Sequence, residues 1–236
     1  MQKFSKSRDD IDNHFQIHAL AQLHLAMILL PVLQQTADDV CVPSRIVFTT
    51  SDTHNDTSRS VKFASLDEIN TDIGQTQLYF RAKLAQLLLT RELASRLEQR
   101  QPRLDQPKAE RASSVSQAQP SVLVNAVHPG AYCRTPLVYQ LKVALGLVGT
   151  LFLLLLAPFM PDPMTIGCRS GLFASTPNAE LMNNRFQGQY IVPDKKIQQP
   201  GKMARDAEMG MRLWELCMKV LEAKLGKLDY KVDLSY

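Results

Sequence analysis

No glycine precedes Gly74 in this 236-residue chain. A glycine-rich turn, which lets backbone approach a pyrophosphate at a helix N-terminus, is therefore absent from that stretch. Cysteine is also scarce: Cys41, Cys133, Cys168 and Cys217 stand far apart with no CxxC spacing. That excludes a zinc motif and a secreted disulfide framework, and fits an intracellular, reducing location, cytoplasmic or at a membrane surface. The opening MQKFSKSRDDIDNHF carries charge but no apolar core, so no secretory signal is expected there. A net charge of +4, with no basic stripe interleaved with aromatics, argues against a nucleic-acid partner. His24, His54 and His128 lack carboxylate or Cys neighbours at ligand spacing, so no metal site is expected.

What is present is an ordinary globular composition, 45% hydrophobic and 21% charged, long enough for one sizeable core. Residues 12–35 predict a helix apolar on more than one side, hence buried on several faces, with Pro31 kinking it late. Residues 44–50 and 122–127 are short β-branched runs bounded by turn residues, and 189–192 is a third. Residues 76–99 and 203–225 predict two further helices. Strands alternating with helices predict an α/β fold with a parallel sheet and right-handed crossovers. Residues 101–120 hold three Pro and little apolar bulk, so a mobile polar insert is expected there. Asp38, Asp39, Asp67 and Glu68 read as solvated loop charges, His18 as a core or interface histidine, and Trp214 as packing the last helix on the sheet.

Residues 143–160 are apolar apart from Gly and Thr150. Their length reaches the lower limit for crossing a bilayer, about 17–25 residues. Gly146, Gly149 and Pro158 weaken that reading. A lid over the substrate, an interfacial segment and a true span all stay open, and all three point to an apolar substrate.

Three segments carry the chemistry, in order. The strand at 44–50 ends in Ser51, Tyr79-Phe80-Arg81-Ala82-Lys83 follows, and Val124-Asn125-Ala126-Val127-His128-Pro129-Gly130 comes last. A Tyr and a Lys four apart share a helix face. A nearby ammonium favours the ionised phenol, which makes the Tyr usable for proton exchange with a carbonyl or alcohol.

This ordered trio resembles the short-chain dehydrogenase/reductase family, in its retinol-dehydrogenase-like and WW-domain-oxidoreductase-like branch. The resemblance runs from about Asp12 to Leu225. Arg45-Ile46-Val47 through Ser51 and His54 is similar to the family's active-site strand, Tyr79 and Lys83 to its YxxxK, and residues 124–130 to its VNxxHPG turn. Gly188-Gln189-Tyr190 and Arg212-Leu213-Trp214-Glu215-Leu216 resemble its last strand and helix. The family's TGxxxGxG turn and NNAG segment are missing, so a doubly wound, Rossmann-like domain lacking its N-terminal part is expected, as a single partial domain over 1–236 with residues 135–163 as lid or membrane contact. His18-Ala19-Leu20-Ala21-Gln22-Leu23 stands where the family has Asn-His-Leu-Gly-His-Phe, so His18 replaces its proton-relay Asn.

The resemblance implies an oxidoreductase using NADP or NAD to interconvert a carbonyl and an alcohol on an apolar small molecule. It gives Ser51 the substrate oxygen to bind, Tyr79 the proton to exchange, and Lys83 both the tuning of Tyr79 and the cofactor ribose. Tyr79, Lys83, Pro129, Gly130 and Thr135 become the cofactor contacts, Thr135 standing one residue later than the pattern. A membrane surface and a second copy of the chain are further partners to expect. The alternative is an inactive remnant or interaction protein that keeps the second half of the fold.

Overall fold

The computed structural model describes residues 2–99, 122–130, 163–177 and 186–228, with 146, 147, 151, 155, 230 and 234. The insert at 101–120, nearly all of the segment at 135–163, and Cys133 and Thr135 lie outside the described residues.

Four strands form one sheet in the order β1 (Ser44–Thr49), β2 (Val122–Val127), β3 (Tyr190–Val192) and β4 (Lys196–Ile197). β1 and β2 run parallel in register Thr49 to Val127, and β2 and β3 parallel in register Ala126 to Tyr190. β4 turns back antiparallel to β3 through the turn Pro193–Lys195, so the sheet is mixed where an all-parallel one is expected. The strand at 44–50 ends one residue early, at Thr49, and β3 begins at Tyr190.

All six residues of β2 are buried, as an inner parallel strand requires. Alternation divides them between two cores. Val122, Val124 and Ala126 face the larger one, with α1 (Asn13–Val40), α3 (Gln75–Gln99) and α5 (Ala207–Leu225). Val127 joins Ile191 on the other face, under Phe173 and Ala174 of α4 (Pro163–Ser175). Helices thus cover both faces of the sheet, the layering of a doubly wound α/β fold.

α1 runs on to Val40, past the expected end at 35, with Pro31 inside it and a π turn at Gln16–Leu20. Contrary to expectation, it is not buried on several faces. Phe15, Ala19, Leu20, Leu23, Met27 and Leu30 pack into the core, while Leu25, Ile28 and Val32 are 57%, 52% and 63% exposed. By length and composition α1 could cross a bilayer, although a third of its most apolar window is buried within the protein.

α3 is the opposite case. Leu84, Leu87, Leu88, Leu93 and Leu97 are all buried because the sheet, α1 and α5 enclose it. Arg81 is only 1% exposed. Its guanidinium donates to the carbonyls of Glu68 (2.8 Å) and Ile69 (2.6 Å) and lies 3.5 Å from the Asp12 carboxylate, which also caps the start of α1 at Phe15 N (3.0 Å). Glu68, in the short helix α2 (Leu66–Ile69), is no solvated loop charge: its carboxylate accepts the amides of Lys62, Phe63 and Ala64 at 2.7–3.0 Å. α5 starts at Ala207, capped by Asp206 at Met209 N (3.0 Å), after a separate 3-10 turn at Met203–Arg205. Trp214 lies in the larger core with the sheet residues Val122, Val124 and Ala126, and the Arg96 guanidinium of α3 sits 4.6 Å over its ring.

Candidate active site

The parallel strands end together. Thr50 N donates to Val127 O (2.8 Å) and His128 N to Ile191 O (2.8 Å), which brings Ser51 and the His128–Gly130 turn to one edge of the sheet. That carboxyl edge is where open α/β sheets hold their ligands. Ser51 is extended and opens the 3-10 turn Asp52–Asp56, its Oγ accepting Thr53 N at 3.3 Å. Across from it, one turn apart on α3, stand Tyr79 and Lys83. The Ser51 hydroxyl is near enough to Tyr79 to favour its phenolate. Lys83 Nζ lies 5.7 Å from the centre of the Tyr79 ring and donates to Thr49 O (2.9 Å) and Gln86 Oε1 (3.2 Å). The His18 ring meets Tyr79 edge-on at 5.8 Å between centres. Ser51, Tyr79 and Lys83, far apart in sequence, thus form one cluster.

The electrostatics correct one expectation. Burial raises the Tyr79 pKa, the Asp52 charge adds to the rise, and the nearby Ser51 hydroxyl opposes it. The ammonium does not reverse this, because Lys83 is held by Thr49 O and Gln86 rather than by the phenol oxygen. Lys83 itself is pushed down to about 8 by burial. His18 is pushed down to about 4, by burial first and then by Lys83 and His14, so it is neutral near neutral pH.

His54 is a fastener. Gly201 N donates to its Nε2 (3.1 Å), so its proton sits on Nδ1 and goes to Ser51 O (2.7 Å). Burial lowers its pKa. A cleft of about 760 Å³ opens beside it, lined by Arg59, Lys62, Lys202 and Met203, and includes neither Tyr79 nor Lys83. At the end of β2, His128 O accepts from Ser170 Oγ of α4 (2.9 Å). Pro129 and Gly130 follow, half-buried. Gly130 has φ +105°, and a Cβ there would meet Pro193 Cγ at 3.1 Å, so glycine suits this turn twice over.

Three residues of the cluster carry no motif of their own. Asp52 accepts from Ser51 Oγ at 3.2 Å, its other oxygen lies 3.7 Å from His128 Nε2, and Gln86 ties Lys83 to Gln22 of α1. Adjacency to Ser51 is the one sequence signal for Asp52. Among the described residues no group of three or more His, Cys, Asp or Glu side chains is gathered as a metal site would need.

No family model matches the chain. Among curated proteins it is 28% identical to a mitochondrial protein of Neurospora crassa named as an oxidoreductase, bli-4, over 91% of this chain and 47% of that one. It is 29% identical to human retinol dehydrogenase 14, over 90% of this chain and 53% of that one. It is 25% identical to the human WW domain-containing oxidoreductase, over 94% and 47%. The chain therefore spans about half the length of the curated relatives it matches. Among solved structures, an uncharacterised protein from Mycobacterium paratuberculosis superposes with a TM-score of 0.54 at 19% identity, over 94% of this chain and 63% of that one, which is a likeness of fold.

Proposed function

The chain is kin to the short-chain dehydrogenase/reductases, and from that premise we propose that it serves as an NAD(P)-dependent oxidoreductase. It interconverts a carbonyl and an alcohol on an apolar small molecule. The observation that carries this reading is the gathering of Ser51 and Tyr79, with Lys83 one turn along, at the carboxyl edge of the parallel strands.

The residues present fit the nicotinamide-ribose end of such a cofactor. An ammonium has three protons to donate, and those of Lys83 serve two acceptors, which leaves one for a ribose hydroxyl. By the resemblance, Pro129 and Gly130 of the turn after β2 would help to hold that end of the cofactor. A bound nicotinamide supplies or accepts the hydride. Ser51 orients the substrate oxygen, and Tyr79 gives that oxygen a proton in reduction or takes one in oxidation. Lys83 holds the ribose and keeps positive charge near the phenol.

The test is turnover at high nicotinamide concentration, read by nicotinamide absorbance over a panel of apolar aldehydes, ketones and alcohols. Tyr79→Phe keeps the ring and removes the proton. Its turnover falls by roughly a hundred- to ten-thousand-fold while the fold persists. A loss within about threefold would show the pair to be ordinary helix surface.

A further inference from the structure

A cleft lined by charge of one sign focuses its field and draws ions of the other. The cleft beside His54 has that character. Arg59 and Lys62 reach it from the loop after the 3-10 turn at Asp52–Asp56, Lys202 and Arg205 from the approach to α5. All four are exposed, and among the described residues none lies within ion-pair reach of a carboxylate. Asp206 is the one acid among the described lining residues, and its carboxylate caps α5 at Met209 N (3.0 Å). Glu68, behind Lys62, is taken up by the amides of residues 62–64. We propose that this cleft binds a phosphate group, with Arg59, Lys62, Lys202 and Arg205 supplying the positive charge.

Four cations exceed what one carboxylate needs and suit the two or more charges of a phosphate ester or a diphosphate. The cluster is also unrelieved. Burial lowers the Arg91 pKa, and the neighbouring charge of Arg205 lowers it further. A bound anion offsets that repulsion. Thr57 in the wall is 6% exposed, and its buried Oγ1 has no hydrogen-bond partner, so a polar group is left unused by the protein.

The two walls, far apart in sequence, are tied together at two points. Gly201 N donates to His54 Nε2 (3.1 Å), and a Cβ at Gly201 would run into Asn55 Oδ1. On the other side Arg212 of α5 donates from Nη1 to Lys62 O (3.0 Å). The volume of about 760 Å³ lies within the range of about 300–1,000 Å³ usual for small-molecule sites. Met203 and Met209 give the body of a phosphorylated compound an apolar wall. Neither Tyr79 nor Lys83 lines the cleft, so the inference does not rest on the redox reading.

The experiment is equilibrium dialysis of labelled inorganic pyrophosphate against the full chain, at an ionic strength fixed with chloride. The wild type binds it saturably. Lys202→Gln with Arg205→Gln weakens binding about tenfold or more, the loss of at least one hydrogen bond from a charged donor. Arg59→Gln with Lys62→Gln, on the opposite wall, does the same and serves should the first pair fail to fold. Lys83→Ala leaves binding unchanged, which separates this cleft from the cofactor site. Absence of saturable binding, binding that survives both Gln pairs, or an equal loss in Lys83→Ala overturns the proposal. Competition identifies the source of the phosphate. Displacement by glycerol 3-phosphate alone assigns a soluble compound, and displacement by phosphatidylcholine vesicles only when they carry phosphatidic acid assigns a lipid headgroup. Displacement by neither overturns the proposal.

Discussion

Lys83 and Gln86, three residues apart on α3, share a hydrogen bond of 3.2 Å, and Gln86 passes the connection on to Gln22 of α1. The ammonium is thus placed by α1 as well as by its own helix. Gln86→Leu keeps the volume but removes the acceptor, leaving Lys83 with Thr49 O alone. A hydrogen bond to a charged group contributes about 1.5–3 kcal/mol, so the KM for nicotinamide should rise by about tenfold or more with a smaller change in kcat. Lys83→Ala should damage both. Because burial brings Lys83 to about 8, the positive charge disappears as pH climbs through that value, and so should any activity that needs it. Steady-state kinetics across pH checks both expectations.

His18 gives an acid-side prediction. Its folded pKa of about 4 lies below the unfolded value of about 6.5, so between the two the unfolded chain binds the extra proton. Stability is therefore complete above about 6.5 and declines as pH falls toward 4. His18→Asn removes that decline. Urea midpoints compared at about pH 7 and about pH 5 should differ less in the variant than in the wild type. Its turnover should be unchanged or improved, since the resemblance gives Asn at this position.

Asp12 and Arg81 test the buried anchor of α1. Asp12→Asn keeps the cap at Phe15 N but removes the charge facing Arg81. Breaking a buried pair costs about 3–5 kcal/mol, and the two carbonyls that still hold Arg81 favour the lower figure. Denaturant unfolding showing a loss under about 1 kcal/mol would mean that the carbonyls alone satisfy the guanidinium.

The outward face of α1 predicts association. Leu25, Ile28 and Val32 are exposed on one side of that helix, and β1 pairs through β2 alone among the described strands. Exposed apolar surface and open strand edges both promote self-association. The polypeptide should run as an oligomer or aggregate in size-exclusion chromatography, and Ile28→Lys with Val32→Lys should move it toward monomer. A monodisperse wild-type monomer would refute this.

The sequence makes the site's chemistry readable because spacing of four on a helix leaves little freedom: wherever Tyr79 goes, Lys83 follows one turn later. Strands β1 and β2 are readable because β-branched runs between turn residues have few other uses. The buried partners are another matter. Arg81 sits in a stretch that looks like helix surface, and its carboxylate lies 69 positions away in Asp12, a distance only the fold can close. Glu68 is indistinguishable from a solvated loop charge until three amides are seen around it. The direction of the Tyr79 shift is likewise illegible. Proximity to Lys83 in sequence suggests a fall, whereas depth of burial, which no local pattern encodes, produces a rise.

The wide turn at Gln16–Leu20 sets the phase of α1. Each residue of an α-helix advances about 100° around its axis, so one residue of surplus in a turn resets everything beyond it by that angle. Upstream of the turn stands Asp12, fixed by Arg81, and downstream runs the row from Leu23 to Leu30, fixed by the core. A single-residue deletion that closed the turn as ordinary helix would leave these two moorings out of step. The chain would have to surrender either the buried charge pair or the apolar row, and in both cases His18 would swing away from Tyr79. An irregularity five residues long therefore works as a clutch between two rigid fittings, and the length of this short stretch is more constrained than its composition.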